Sequence, residues 1–166
     1  MINIMPPAAR ITDNVMHPLP PVLTGGPTAI TVIIGKLPAW RGIGGAAAAA
    51  IQAANQAATT AIQVAETATK AAGATPAAPG LLATEQALKA SLLASMSSMI
   101  SGSGTDIHIC ATPSPVPPHG PGVVTTPSNT VMIANMPAAR MGDTITEAIG
   151  PPNKIVKGET TVMIGG

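Results

Sequence analysis

Short β-branched runs recur along this chain, and one long alanine-rich block interrupts them. The first full copy runs Ala29-Ile30-Thr31-Val32-Ile33-Ile34, then Gly35-Lys36, then Leu37-Pro38-Ala39-Trp40-Arg41. The same order returns as Asn129-Thr130-Val131-Met132-Ile133, Ala134-Asn135 and Met136-Pro137-Ala138-Ala139-Arg140. Thr160-Thr161-Val162-Met163-Ile164-Gly165-Gly166 repeats the apolar half, and Met5-Pro6-Pro7-Ala8-Ala9-Arg10 opens the chain with the other half. Each copy predicts a short strand, a Gly or Asn turn, and a Pro-led turn closed by Arg.

Between Gly42 and Gly104 the pattern changes. Ala46 to Ala72 is rich in Ala and free of Pro and Gly, which favours helix. Glu66 stands four residues before Lys70, the stabilising order on a helix face. Gly73-Ala74-Thr75-Pro76-Ala77-Ala78-Pro79-Gly80 predicts a break, and a second helix follows from about Leu81 or Thr84 to Ile100. Glu85 and Lys89 repeat the charge pair there, and Leu81, Leu88, Leu92, Met96, Met99 and Ile100 trace an apolar stripe. The expected element is an antiparallel hairpin with a small-residue seam, each arm roughly 30–40 Å long. The chain therefore divides into a mainly β unit, residues 1–42 and 105–166, and an inserted α-helical hairpin, residues 43–104.

Composition narrows the class. Phe and Tyr are missing and Trp40 is the single Trp, so bulky core filler is scarce although 46% of residues are hydrophobic. The 18 Pro and 17 Gly fit a tightly turned β fold. A net charge of +1 without a basic run argues against nucleic acid as a partner. With one Cys there is no internal disulfide, and a metal is the usual substitute brace for a small core. Met1 to Pro7 has neither a charged leader nor a long apolar run, so no secretory signal is expected.

The candidate metal ligands are His17, His108, Cys110 and His119, every His and Cys of the chain. Three imidazoles and a thiolate fill a four-coordinate zinc shell, and a full protein shell suits a structural ion. Arg10 is followed at +3 by Asp13 and Arg140 by Asp143, which predicts turn-closing salt bridges. After Arg41 that position is Gly44, and Asp106 resumes the pattern beyond the helical block. Four residues after Asp13, Asp106 and Asp143 stand His17, Cys110 and Glu147, so one structural slot carries ligand-type side chains. His108 and Cys110 share one face of an extended segment, and His119 lies in a loop stiffened by Pro113, Pro115, Pro117, Pro118 and Pro121. Any one His taken alone more often has a solvated or core role than a ligating one; as every His and Cys of the chain, the four point to one shared zinc. A nucleophilic Cys110 with His108 or His119 as base is the enzyme alternative, and nothing else in the sequence resembles a substrate pocket.

Pro7-Ala8-Ala9-Arg10, Pro38-Ala39-Trp40-Arg41 and Pro137-Ala138-Ala139-Arg140, with the Arg-x-x-Asp spacing, resemble the repeats of PAAR proteins. The resemblance covers about residues 1–42 and 105–166. It implies a small cone of three strand-turn repeats with pseudo-threefold symmetry, seated on the blunt trimeric VgrG spike of a type VI secretion system. It also implies one structural zinc per chain near the apex, held by three His and one Cys, for which His17, His108, Cys110 and His119 are the candidates here. The implied job is mechanical, not enzymatic. Such a protein would wait in the bacterial cytoplasm, then leave on the spike and meet membrane only as a puncturing tip.

For the hairpin, packing along the flank, docking an effector or adaptor, and membrane insertion all remain open. Gly42 to Ala65 carries no charge, but Gln52, Asn55, Gln56, Thr59, Thr60 and Gln63 interrupt its apolar character. The sequence ends just after the third strand, so no fused C-terminal toxin is expected.

Overall fold

The computed structural model describes residues 5–26, 30–113 and 118–166. Met1–Ile4, Ala29 at the head of the first run, and Ser114–Pro117 of the proline-rich loop lie outside the described residues. In chain order the first elements are β1 (Pro7–Ala8), β2 (Gly25–Gly26), β3 (Ile33–Ile34), β4 (Leu37–Pro38), α1 (Gly45–Ala72) and α2 (Ala78–Ser101). Then come β5 (Ile107–Pro113), β6 (Pro118–Val124), β7 (Met132–Ile133), β8 (Met136–Pro137), β9 (Thr144–Glu147), β10 (Asn153–Lys154) and β11 (Glu159–Met163). The architecture is thus a set of small antiparallel sheets with two helices inserted.

Two of the sequence repeats are tight hairpins, β3–β4 and β7–β8. Their two-residue turns, Gly35-Lys36 and Ala134-Asn135, have positive φ at both positions, as a twist-matched hairpin turn requires. The remaining repeat is assembled from both ends of the chain. Pro7 of β1 pairs with Met163 of β11, and the Ile164 N–H donates to the Pro6 carbonyl at 2.9 Å.

The three Pro-led segments join in a closed ring. The N–H of Ala9 donates to Ala139 at 3.0 Å, that of Ala139 to Trp40 at 3.0 Å, and that of Trp40 to Ala9 at 2.9 Å. Alternation along each extended segment sends neighbouring side chains to opposite faces. Ala8, Ala39 and Ala138 therefore pack with Ile34, Ile133 and Ile164 on one side. On the other, Ala9, Trp40 and Ala139 pack with Val15, Leu23, Val124, Ile145 and Ile155. Trp40, fully buried, supplies the volume that Ala leaves in the other two copies.

Each ring segment ends in an Arg held by an Asp. Arg10 meets Asp13 at 2.9 Å and Arg140 meets Asp143 at 3.2 Å, both three residues apart. Arg41 meets Asp106 at 2.8 Å across the whole helical insertion, the partner that the register supplies. In every copy the Arg backbone N–H also donates to the same carboxylate.

The helices run 28 and 24 residues, about 42 and 36 Å at about 1.5 Å per residue. Their antiparallel course follows from their contacts. Ala48 and Ile51 near the start of α1 pack with Met96 and Ile100 near the end of α2, over Ile43, Val123 and Ala148 of the β unit. Further out, the Lys89 ammonium sits 2.7 Å from both Glu66 and Glu85. Two sequence expectations are corrected here. The second helix begins at Ala78, earlier than Leu81, because Pro79 occupies the first turn, where its missing N–H costs nothing. The apolar stripe is only partly realised: Leu81 and Met99 are exposed while Glu85 and Lys89 are buried, since their charges satisfy one another against Glu66. Among the described residues no helix is long and apolar enough to cross a membrane.

Candidate metal centre

A five-stranded antiparallel sheet, ordered β10-β9-β6-β5-β2, carries the candidate ligands. On β5 the side chains alternate, so His108 and Cys110 are buried while Ile109 between them is half exposed. β6 contributes His119 and β9 contributes Glu147. His17 arrives from the loop after the first Arg–Asp turn. There the Val15 bridge to Ile155 and the Met16 N–H bond to the Asn153 side chain, 3.0 Å, fix the backbone.

Side-chain ligand atoms of His17, Cys110, His119 and Glu147 all lie within 4.8 Å of one another. Cys110 Sγ is 3.4 Å from His17 Nδ1, and Glu147 Oε2 is 2.7 Å from His119 Nδ1 and 3.5 Å from His17 Nε2. The two imidazoles meet edge to face with centroids 4.9 Å apart. Three of the four ligands expected from sequence therefore converge, from segments far apart in the chain.

His108 stands outside that group. It lies two residues before Cys110 on β5, opposite Gly122 of β6, whereas Cys110 is opposite Gly120, next to His119. His108 is completely buried, its Nδ1 accepts the Thr24 N–H at 3.3 Å, and among the described residues its Nε2 has no hydrogen-bond partner. Glu147 is the fourth member of the group. The sequence signal for it is the Asp-plus-four register, in which His17, Cys110 and Glu147 are equivalent positions.

Supporting contacts come from both parts of the chain. The Asn153 amide donates to Glu147 Oε1 at 3.4 Å. From helix α1, the Asn55 amide donates to the backbone carbonyls of Glu147, 2.9 Å, and Gly150, 3.3 Å. Gly150 has φ +92°, and a Cβ there would lie 2.6 Å from His119 Nε2, so the imidazole rests directly on a bare backbone. Met16, Pro18, Thr112, Pro113, Pro151 and Pro152 line a depression over His17 and His119.

Burial sets the protonation of the metal-free cluster. It pushes the His17 and His108 imidazoles below their usual value, opposed by the Glu147 charge. Both rings are then neutral near pH 7, as ligation requires. Burial also pushes the Cys110 thiol up. Imidazole, thiolate and carboxylate together suit zinc or a similar borderline dication, and the residues present fit such an ion.

Residues 116–166 match the family model of the PAAR motif. That stretch holds His119, Glu147 and the Pro137-Ala138-Ala139-Arg140 segment. No curated protein and no solved structure matched the chain.

Proposed function

We propose that this chain is the tip of a contractile, type VI secretion spike, seated as one copy on a trimeric VgrG-like protein and braced by one structural zinc. The β unit, residues 1–42 and 105–166, forms a pseudo-threefold cone, and residues 43–104 are a hairpin packed on its flank. One observation carries the reading: three equivalent positions present an apolar side chain outward beside a buried Ile. Ile33, Met132 and Met163 are 55%, 55% and 42% exposed, next to Ile34, Ile133 and Ile164. The closed hydrogen-bonded ring relates these positions to one another. A trimer offers three matching seats, and covering the short unpaired edges beside them removes a liability of the free chain.

Along each repeat the order is exposed apolar residue, ring segment, Arg–Asp turn, and then the slot of His17, Cys110 or Glu147. The cation therefore belongs at the end away from the spike, where a narrowing cone has least apolar volume. His17, Cys110 and His119 hold it, with a fourth donor from His108 or Glu147. Bound zinc supplies folding free energy, on the order of 10 kcal/mol in small metal-dependent folds. No turnover is part of this role. The chain is made and loaded inside the cell and leaves with the spike.

An adaptor role for the hairpin is the second reading, favoured by the exposure of Val64, Leu81 and Leu82 towards its outer end. Co-purification with a spike trimer tests the main reading. Wild type should give one chain per trimer, and the combined Ile33→Asp, Met132→Asp and Met163→Asp variant should not bind. Each buried apolar side chain is worth about 1.5–3 kcal/mol. Undiminished binding by a folded triple variant refutes this docking face.

A further inference from the structure

This inference rests on the metal-braced reading above and concerns the inserted hairpin, whichever residue supplies the fourth donor. We infer that Asn55 of α1 is a positioning residue of the metal centre, so that the hairpin holds the scaffold of the ion and does not only pack beside it.

The buried stripe of α1 runs Ala48, Ile51, Asn55, Ala58 and Ile62, and Asn55 alone in that stripe is polar. At 4% exposure its amide has given up water, which is unfavourable unless the N–H groups find acceptors. Asn55 Nδ2 donates to the Glu147 carbonyl at 2.9 Å and to the Gly150 carbonyl at 3.3 Å. One side chain on the inserted helix therefore ties both ends of the 147–150 segment.

That segment is the floor under His119. The Ala148 N–H donates to the Pro121 carbonyl at 2.8 Å and the Ile149 N–H to the His119 carbonyl at 3.1 Å, which laces the segment to β6. The bare Gly150 backbone then meets the imidazole, since a Cβ there would stand 2.6 Å from Nε2 and 2.7 Å from Cδ2. The other arm acts on the same strand. Gly120, next to His119, has φ +79°, and a Cβ there would lie 2.6 Å from Leu93 Cδ1 of α2. Both arms thus bear on backbone that sets the His119 ring. His17 and Cys110 sit on segments that the β unit fixes by itself: the Met16 N–H bonds to the Asn153 side chain, and the Ile109 and Ala111 N–H groups bond to the Thr24 and Leu19 carbonyls.

An amide that merely seated the helix could bond anywhere on the sheet. Gln52, three residues earlier on α1, does so: it donates at 3.0 Å to the Thr125 hydroxyl, whose own bonds run to Thr144 and Thr146. Asn55 instead grips the segment on which His119 rests. Coupling of this kind is reciprocal. If seating Asn55 tightens the ion site, the ion holds α1 down by the same factor, and a partner that lifts the hairpin loosens the ion.

The test uses the full chain and two readouts. In competition with a chromogenic chelator, Asn55→Leu should lower zinc affinity about 10–100-fold, as loss of an outer partner does, while Gln52→Ala stays within about twofold of wild type. With cobalt(II) in place of zinc, Asn55→Leu should shift the visible d–d bands of the site and Gln52→Ala should leave them in place. A folded Asn55→Leu chain with wild-type affinity overturns the inference, and so does an equal loss in Gln52→Ala. An affinity loss with unmoved cobalt bands is a packing effect and overturns it too. If Asn55→Leu fails to fold, the wild-type chain decides. Exchanging zinc for the larger cadmium should move the Asn55 side-chain amide resonances and spare those of Gln56 and Gln63 on the exposed face; unmoved Asn55 resonances refute the positioning role. A wild-type chain that takes up none of these ions refutes the metal brace itself. Normal uptake with unmoved readouts leaves the brace standing and removes only this role for Asn55.

Discussion

Replacing Asp106 by Ala should destabilise the chain more than the same change at Asp13 or Asp143. Asp106 is fully buried and accepts three N–H groups from Arg41: the backbone N–H at 2.9 Å, Nε at 3.1 Å and Nη2 at 2.8 Å. Arg41 itself is only 4% exposed, so Asp106→Ala leaves a guanidinium in the interior without that carboxylate. Breaking one side of a buried pair costs about 3–5 kcal/mol. For a chain of this size that is a drop of about 6–20 °C in Tm, taking about 2–4 °C per kcal/mol. Arg10 and Arg140 have side chains 11% and 13% exposed, so water takes up part of the stranded charge. The loss there should be nearer about 2 kcal/mol, the range of single charge-assisted hydrogen bonds. Urea unfolding at one fixed zinc concentration measures all three, since a bound ion shifts apparent stability by mass action. The paired change Arg41→Met with Asp106→Leu should recover much of the loss, because it removes both charges together. An Asp106→Ala cost below about 1 kcal/mol, or one no larger than at Asp13 and Asp143, refutes the reasoning.

Gly150→Ala should lower zinc affinity at least about 10-fold in chelator competition although it removes no donor, because the new Cβ meets His119 and the backbone φ is positive. Metal binding should release about one proton near pH 7, since the Cys110 thiol is pushed up by burial and must ionise to ligate. Titration calorimetry in buffers of different ionisation enthalpy counts that proton, and no buffer dependence argues against a thiolate ligand. The outer hairpin should loosen in acid. Lys89 hydrogen bonds hold the Glu85 carboxyl below its usual value, so its contribution is present above the ordinary Glu pKa and is lost as pH falls through the lowered one. Hydrogen exchange of the outer turns against pH reads this directly, and unchanged protection down to the Glu85 titration speaks against it. Deleting residues 45–103 outright should destabilise the β unit, because Ile51, Met96 and Ile100 cover Val123 and Ala148. Excising only residues 63–88 spares that contact and should leave spike binding intact while removing any cargo delivery.

The repeats were readable because their alternation is short-range and their Arg, Asp and Pro positions are chemically distinctive. Arg41 finding Asp106 follows from register alone, despite the intervening helices. Gly45–Ala72 was legible through composition. The buried Glu85 and Lys89 were not, because each looks like a surface residue until Glu66 from the other arm is placed beside them. The metal centre divides in the same manner. Chemistry singled out His17, Cys110 and His119, but which further side chain reaches them depends on the β5–β6–β9 register. That register puts Cys110 opposite Gly120, beside His119, and His108 opposite Gly122. Asn55 and Gly150 carry no ligand signature, and their support of Glu147 and His119 appears only in three dimensions.

The pairing of β1 with β11 has a consequence for biogenesis. A strand near the start of the polypeptide must wait for one completed at Met163, so this repeat is the last of the three to pair during synthesis. The α-helices, built from neighbouring contacts, are free to form much sooner, during synthesis. Nascent chains of this protein should thus carry a finished hairpin before β1 and β11 come together.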